Sequence, residues 1–185
     1  MSEHVPPSWE HLDTEHGQDL ILFQSQFSRY RNPRNGQVVR AVILQAPDWV
    51  NVVAVTPENE VVTVRQFRFG TKAITTEIPA GLVEHGETPL ETAQRELREE
   101  TGFISRDWHS LGYVEPNPAY LNNRCYLFLA QDAARIGEPD PEPGEDLRVD
   151  TLTLPALQKE ITAGRLRHAL ALAGLNRVFD LWKFS

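Results

Sequence analysis

The sequence predicts a mixed α/β domain in which helices pack on a mostly antiparallel or mixed sheet. Three observations carry that prediction. Several segments, among them VVRAVILQA, WVNVVAVTP and EVVTVRQFRF, are dense in β-branched residues and read as strands. One stretch repeats its apolar residues at helical spacing behind a complete N-terminal cap. The elements run strands, helix, strands, then two helices, an order that suits layered α/β architecture.

Residues 1–18 are polar, carry Pro6-Pro7 and show no apolar period, so they are expected to form a flexible arm. DLILFQSQFSRY and VVRAVILQA flank RNPRNGQ, whose Asn35-Gly36 pair is a hairpin signal. Residues 19–47 are therefore expected to form a small antiparallel β sub-domain ahead of the main domain, residues 48–185. WVNVVAVTP and EVVTVRQFRF flank Glu58-Asn59 and predict a second hairpin. AITTEIPAG reads as a strand running into a loop.

Thr88-Pro89-Leu90-Glu91 then opens a helix. Threonine stands at the N-cap, proline at the first helical position and glutamate three after the cap. Leu90, Ala93 and Leu97 repeat at helical spacing toward the core, and Gly102 offers the left-handed residue that closes a helix. HSLGYVEP and RCYLFLAQ read as strands around the loop EPNPAYLNN. IGEPDPEPGEDL cannot hold regular structure, because Pro139, Pro141 and Pro143 remove backbone donors in quick succession. RVDTLTL is a strand. PALQKEITAG and RHALALAGLNRVFDLW are two helices parted near Gly164.

Composition narrows the function. The chain of 185 residues is 41% hydrophobic and 24% charged, an ordinary globular balance with enough length for a sizeable core. A net charge of -8 argues against a nucleic-acid partner, which needs a Lys/Arg surface, yet leaves room for a small phosphate-bearing ligand. The apolar runs AVIL and VNVVAV fall far short of the roughly 20 residues that span a bilayer, so no membrane partner is expected. The single cysteine, Cys125, cannot close an internal disulfide and sits in an apolar strand as a small core residue. A reducing cytoplasm is the simplest compartment, and MSEHVPPSWE lacks the apolar run of a signal peptide. The six histidines show no zinc-ligand spacing.

The charge pattern of the first helix poses a problem. Glu96, Glu99 and Glu100 lie three and four residues apart, so they crowd one face. They also sit near the helix C-terminus, where the backbone dipole favours cations. Arg95 and Arg98 relieve part of the repulsion through pairs such as Glu91–Arg95 and Arg95–Glu99. One reading is a solvated charged face. The other is a divalent cation: clustered carboxylates are hard oxygen ligands, and Mg²⁺ or Mn²⁺ takes one or two of them with water and substrate phosphate.

Gly81, five residues, Glu87, seven residues, then Arg95-Glu96-Leu97-Arg98-Glu99-Glu100-Thr101-Gly102-Phe103 fills every defined position of the Nudix box. By this motif the chain resembles the Nudix hydrolases. The resemblance implies an α/β/α sandwich with the box as loop–helix–loop, and a Mg²⁺- or Mn²⁺-dependent hydrolase of nucleoside diphosphates linked to another group. It implies Glu96 and Glu100 as metal ligands, Glu99 as a ligand or the partner of one, and the Ala80 carbonyl as a further ligand. Arg95 would orient a carboxylate, and Glu87 would pair with it or support the water shell.

Residues outside the box bear on the substrate. The strand unit before the core is similar to the N-terminal sub-domain through which ADP-ribose and nucleotide-sugar pyrophosphatases form homodimers. Gln66-Phe67-Arg68 followed by Glu77-Ile78-Pro79-Ala80-Gly81 resembles that class too. There Arg68 would meet the pyrophosphate, as its planar donor fork suits phosphate oxygens, and Glu77 would help bind the terminal sugar or a metal-linked water. Pro118 agrees with that class, whereas Tyr120 resembles dinucleoside polyphosphate hydrolases. The segment Asn117-Pro118-Ala119-Tyr120-Leu121-Asn122-Asn123 departs from the more usual S-P-G-x-x-x-E and favours a broader nucleotide-sugar range. A general base would lie on the late acidic loop, at Glu145 or Glu142, with Glu145 favoured because it adjoins the following strand. Trp49 and Tyr30 are candidates for stacking on the nucleobase. A competing reading is a non-catalytic protein that only binds a nucleotide-sugar.

Overall fold

The computed structural model describes residues 5–181. The first four residues of the expected arm, and Trp182 at the end of the last expected helix, lie outside them. The chain divides into two compact units, Met1–Pro47 with Glu115–Asn123, and Asp48–Val114 with Arg124–Ser185.

The first unit holds a three-stranded antiparallel sheet of β1 (Glu10–Asp19), β2 (Gln24–Arg31) and β3 (Val38–Gln45), in that order. The β2–β3 hairpin is the one marked by Asn35-Gly36, and Gly36 takes φ 72° in its loop. β1 corrects the expected arm. From Glu10 onward the chain is a strand with nearly every residue exposed. It forms without an apolar period because its partners are polar: Asp13 with Arg29, Glu10 with Arg31, Thr14 with Ser28. The segment Glu115–Asn123 joins this unit through Leu44 N–H, which donates to the Tyr120 carbonyl at 2.7 Å.

The second unit begins with β4 (Trp49–Ala54), β5 (Val61–Arg68), β6 (Ala73–Glu77) and β7 (Ala80–Leu82). Helix α1 (Pro89–Thr101) follows, then β8 (Phe103–Ile104), β9 (Asp107–Val114), β10 (Cys125–Gln131), β11 (Ala134–Arg135) and β12 (Arg148–Leu152). Two short helices, α2 (Leu154–Thr162) and α3 (Ala169–Leu175), end it. One sheet has the order β7-β4-β10-β9, with β4 and β10 parallel and the other pairs antiparallel. A second is β12-β5-β6, all antiparallel, and β8 pairs with β11.

The Glu58-Asn59 turn is present, with Asn59 at φ 59° and Thr56 N–H donating to Glu60 C=O. Only the Val55–Val61 bridge joins the two arms, which then part into different sheets. α3 stops at Leu175, and residues 176–178 are turns where a longer helix was expected.

β4 shows why helices cover both faces. Val50, Val52 and Ala54 pack with Ala93 and Leu97 of α1. Val53, on the opposite face, packs with Ile78, Leu157 of α2 and Leu175 of α3. All of these residues are buried, so both faces of one strand work as core. Cys125 lies in a third apolar cluster with Leu127 and Leu170, and burial pushes its thiol up to about 12, which leaves it unreactive. Among the described residues, no helix is long and apolar enough to cross a membrane.

Candidate catalytic and metal-binding site

The loop 81–88 and helix α1 build the site. Thr88 caps α1 as its sequence predicts: its hydroxyl accepts from Glu91 N–H, and the Glu91 carboxylate accepts from Thr88 N–H at 2.8 Å. Gly102 closes the helix at φ 73°, with its N–H on the Arg98 carbonyl.

Arg95 organises the acids. Nε and Nη2 hold the two oxygens of Glu87 at 2.9 and 3.1 Å. Nη1 donates to Glu96 Oε1 at 2.8 Å and to Glu99 Oε2 at 3.1 Å. Nη2 also reaches the Leu82 carbonyl at 3.3 Å. Every donor of the guanidinium is therefore engaged, and three carboxylates share one cation. The Arg95–Glu99 pair was legible as a four-residue spacing. Glu91, by contrast, serves the cap, and Glu87 takes the place expected for it beside Arg95.

Glu87 is the acid this arrangement favours most. Hydrogen bonds from Arg95 and from the Thr92 hydroxyl hold its carboxyl down at about 2. A folded-state value below the ordinary 4.5 means stability that is present above about pH 4.5 and lost as pH falls toward 2. Acid unfolding followed by circular dichroism is therefore expected to be less steep over that range in Glu87→Gln than in the native chain. Equal slopes would contradict this assignment.

Glu96 and Glu100 have the opposite character. Burial pushes Glu96 up to about 7 against the pull of Arg95, and the charges of Glu145 and Glu99 add to the rise. Glu100 is only 2% exposed, and burial raises it well above the usual carboxylate range. The Ala80 N–H, donating to Glu100 Oε2 at 3.0 Å, opposes that rise, and Glu96 and Glu145 reinforce it. Gly81 leaves the Glu96 carboxylate its place. A Cβ there would fall 1.9 Å from Glu96 Oε1, so the carboxylate occupies the space of the missing side chain.

Arg68 and Glu77 form a second group. Arg68 Nε and Nη2 clasp both oxygens of Glu77 at 2.8 and 2.7 Å, and the Thr75 hydroxyl donates to Glu77 Oε1 at 2.5 Å. Burial alone would push Glu77 up, but Arg68 and Thr75 outweigh it and hold the carboxyl below its ordinary value. His168 Nδ1 stands 3.4 Å from Glu77 Oε2, and burial lowers its pKa. Glu77 is 1% exposed, and its two oxygens accept from Arg68 and Thr75. Arg68 remains partly exposed, and among the described residues its Nη1 has no hydrogen-bond partner. Nothing in the sequence marked Thr75 or His168 as partners of Glu77.

On the acidic loop, Glu145 N–H donates to the Glu142 carbonyl at 2.9 Å, and Glu142 N–H reaches Glu145 Oε2 at 3.3 Å. Among the leading influences on Glu96, Glu100 and Arg68, the charge of Glu145 appears each time. That separates it from Glu142. Trp49 is half-buried against the Cys125, Leu127 and Leu170 cluster, a core position. Tyr30 and Tyr120 belong to the other unit; Tyr30 lies on β2 with its ring 5.3 Å from His11, and Tyr120 is exposed.

Among the described residues no group of three or more His, Cys, Asp or Glu side chains is gathered closely enough to hold a metal ion as it stands. Arg95 and the Ala80 amide draw the carboxylates to themselves. The donor set nevertheless suits a hard cation. Glu100, buried, and Glu96, partly buried, are both raised by desolvation and by neighbouring acids, an environment short of positive charge that a divalent ion would relieve.

Comparison with known proteins agrees with this geometry. The sequence model of the NUDIX domain family matches residues 47–172. The chain is 34% identical over 146 residues to the ADP-ribose pyrophosphatase of Bacillus subtilis (strain 168), covering 79% of this chain and 73% of that protein. It is 27% identical over 177 residues to the ADP-ribose pyrophosphatase of Mycobacterium tuberculosis (strain ATCC 25618 / H37Rv), covering 95% and 84%. The crystal structure of an ADP compounds hydrolase shares its fold, with a TM-score of 0.82 over 94% of each chain at 22% identity.

Proposed function

This chain belongs to the NUDIX domain family, and from that premise we propose that it hydrolyses the pyrophosphate bond of nucleoside diphosphate sugars, ADP-ribose among them. The observation that carries the reading is the acid set on α1 and the loop before it. Glu87, Arg95, Glu96, Glu99 and Glu100 are all present, and Arg95 holds three of the four acids in one network.

Glu96, Glu100 and the Ala80 carbonyl would hold the divalent ion, Mg²⁺ or Mn²⁺, with Glu99 beside them. Bound there, the ion would neutralise charge on the pyrophosphate and lower the pKa of a water. Arg95 keeps the free carboxylates from turning away from the helix face. Arg68, aimed by Glu77, presents its open edge to a phosphate oxygen. Glu145 takes the proton of the attacking water as general base. The water oxygen bonds to one phosphorus, the P–O–P bridge breaks, and the bridging oxygen leaves on the other phosphate. The products are a nucleoside monophosphate and a sugar phosphate. Chromatography of an ADP-ribose digest tests this: AMP and ribose 5-phosphate in equal amounts are expected, and unchanged ADP-ribose would overturn it.

Homodimer formation is part of the same proposal. Val38 and Val42, on one face of β3, stand about half exposed, which suits a surface that another chain covers. Light scattering should return twice the chain mass, and a monomer mass would refute it.

A further inference from the structure

The loop that carries Glu145 is stitched to the helix that carries the carboxylates. Ile136 N–H donates to the Gly102 carbonyl at 2.9 Å, and Asp140 N–H donates to the Glu99 carbonyl at 2.8 Å. The second bond fills one of the carbonyls that a helix C-terminus leaves without an intrahelical partner. The β8–β11 ladder, with Phe103 opposite Arg135 and Ile104 opposite Ala134, makes the same join next to it.

The approach is closest at Gly102. A Cβ there would lie 2.2 Å from the Gly137 carbonyl oxygen and 2.9 Å from its carbon. Those atoms are backbone and cannot rotate aside. Gly102 thus meets two demands at once, a left-handed φ of 73° and a bare surface for the passing loop. Gly164 meets only the first: its φ is 69°, and a Cβ there would meet nothing within 4 Å. From Asp140 to the Glu142–Glu145 turn the chain passes Pro141 and Pro143, whose fixed φ leaves little slack.

We propose that Gly102 and the Asp140 amide are positioning elements for the general base: the bare Gly102 lets residues 136–140 lie against α1, and that docking sets where Glu145 stands relative to the α1 carboxylates. This rests on the reading of Glu145 as the base. The charge of Glu145 is felt at Glu96 and Glu100, so a shift of the loop would be felt in the chemistry.

A double-mutant cycle tests it on the full chain, with kcat and KM measured on ADP-ribose and Mg²⁺. Gly102→Ala and Asp140→Pro are made singly and in the Glu145→Gln background. Asp140→Pro removes the N–H donor without touching the helix, so it serves even if Gly102→Ala folds poorly. Each single change is expected to lower kcat on the order of 10- to 100-fold with little change in KM. In Glu145→Gln, each should cost less than about twofold, because the group it positions is gone. Gly164→Ala, with the same backbone strain and open space, keeps the native kcat. Equal losses in both backgrounds, or a folded Asp140→Pro with native kcat, would overturn the positioning role. A native rate in Glu145→Gln would instead overturn the base assignment on which it rests.

Discussion

Glu100→Gln is expected to lower kcat on ADP-ribose by about 10³-fold while the protein keeps its melting temperature or gains a little. Several kcal/mol of charge stabilisation at the reacting phosphate depend on a bound cation, and each factor of ten is worth about 1.36 kcal/mol. Glutamine leaves the cation one anionic ligand short. The fold has no need of that charge. Glu100 is 2% exposed, and the hydrogen bond it accepts from the Ala80 amide can still be accepted by a glutamine oxygen. Burial disfavours the carboxylate, so removing the charge relieves a cost. Thermal unfolding beside steady-state kinetics separates the two effects. A rate within about threefold of native would remove Glu100 from the metal site.

Arg95→Lys comes second, and it should damage both stability and rate. The guanidinium joins Glu87, Glu96, Glu99 and the Leu82 carbonyl with all of its donors. An ammonium has three donors from one point and cannot form the fork on Glu87 while reaching the other acids. At least one hydrogen bond to a charged group is lost, worth about 2 kcal/mol. The tie of loop 82–87 to α1 is weakened to the Thr92–Glu87 hydrogen bond and whatever one ammonium can still reach, and Glu96 and Glu99 lose the guanidinium edge they share. The expected result is a fall in kcat of about 10²-fold with a lower melting temperature. A lysine variant with native kcat and melting temperature would show that Arg95 is only one charge among several.

How much could be read from the sequence follows the range of each interaction. The site helix was legible almost throughout because its determinants are local. Thr88 with Glu91, Ala93 with Leu97, Gly102, and the three glutamates at three- and four-residue spacing all act within two turns; Leu90, expected to face the core, is instead 38% exposed in the first turn. Arg95 with Glu87 was legible only through the family motif, since eight residues and a loop separate them. β1 was not legible because it buries almost nothing; it is joined through its backbone ladder to β2, with charge pairs such as Glu10–Arg31 where an apolar stripe would be. The sealed position of Glu77 was hidden for another reason. Its partners come from β5, from Thr75 and from His168, and no local pattern announces a contact across 91 residues. Gly81 and Gly102 were readable as glycines that the motif demands. The Glu96 carboxylate and the Gly137 carbonyl, the atoms that lie close to where a Cβ would stand, emerge only from the packing.

The central claim is the bond that is broken. The most direct measurement is product release from ADP-ribose, several nucleotide-sugars and diadenosine polyphosphates, each with Mg²⁺ and with chelator. The account predicts metal-dependent cleavage of the diphosphate sugars, with nucleoside monophosphate as one product. Cleavage of the dinucleoside polyphosphates alone would make Tyr120 the informative residue, and binding of ADP-ribose with no product under any metal would contradict an enzyme altogether.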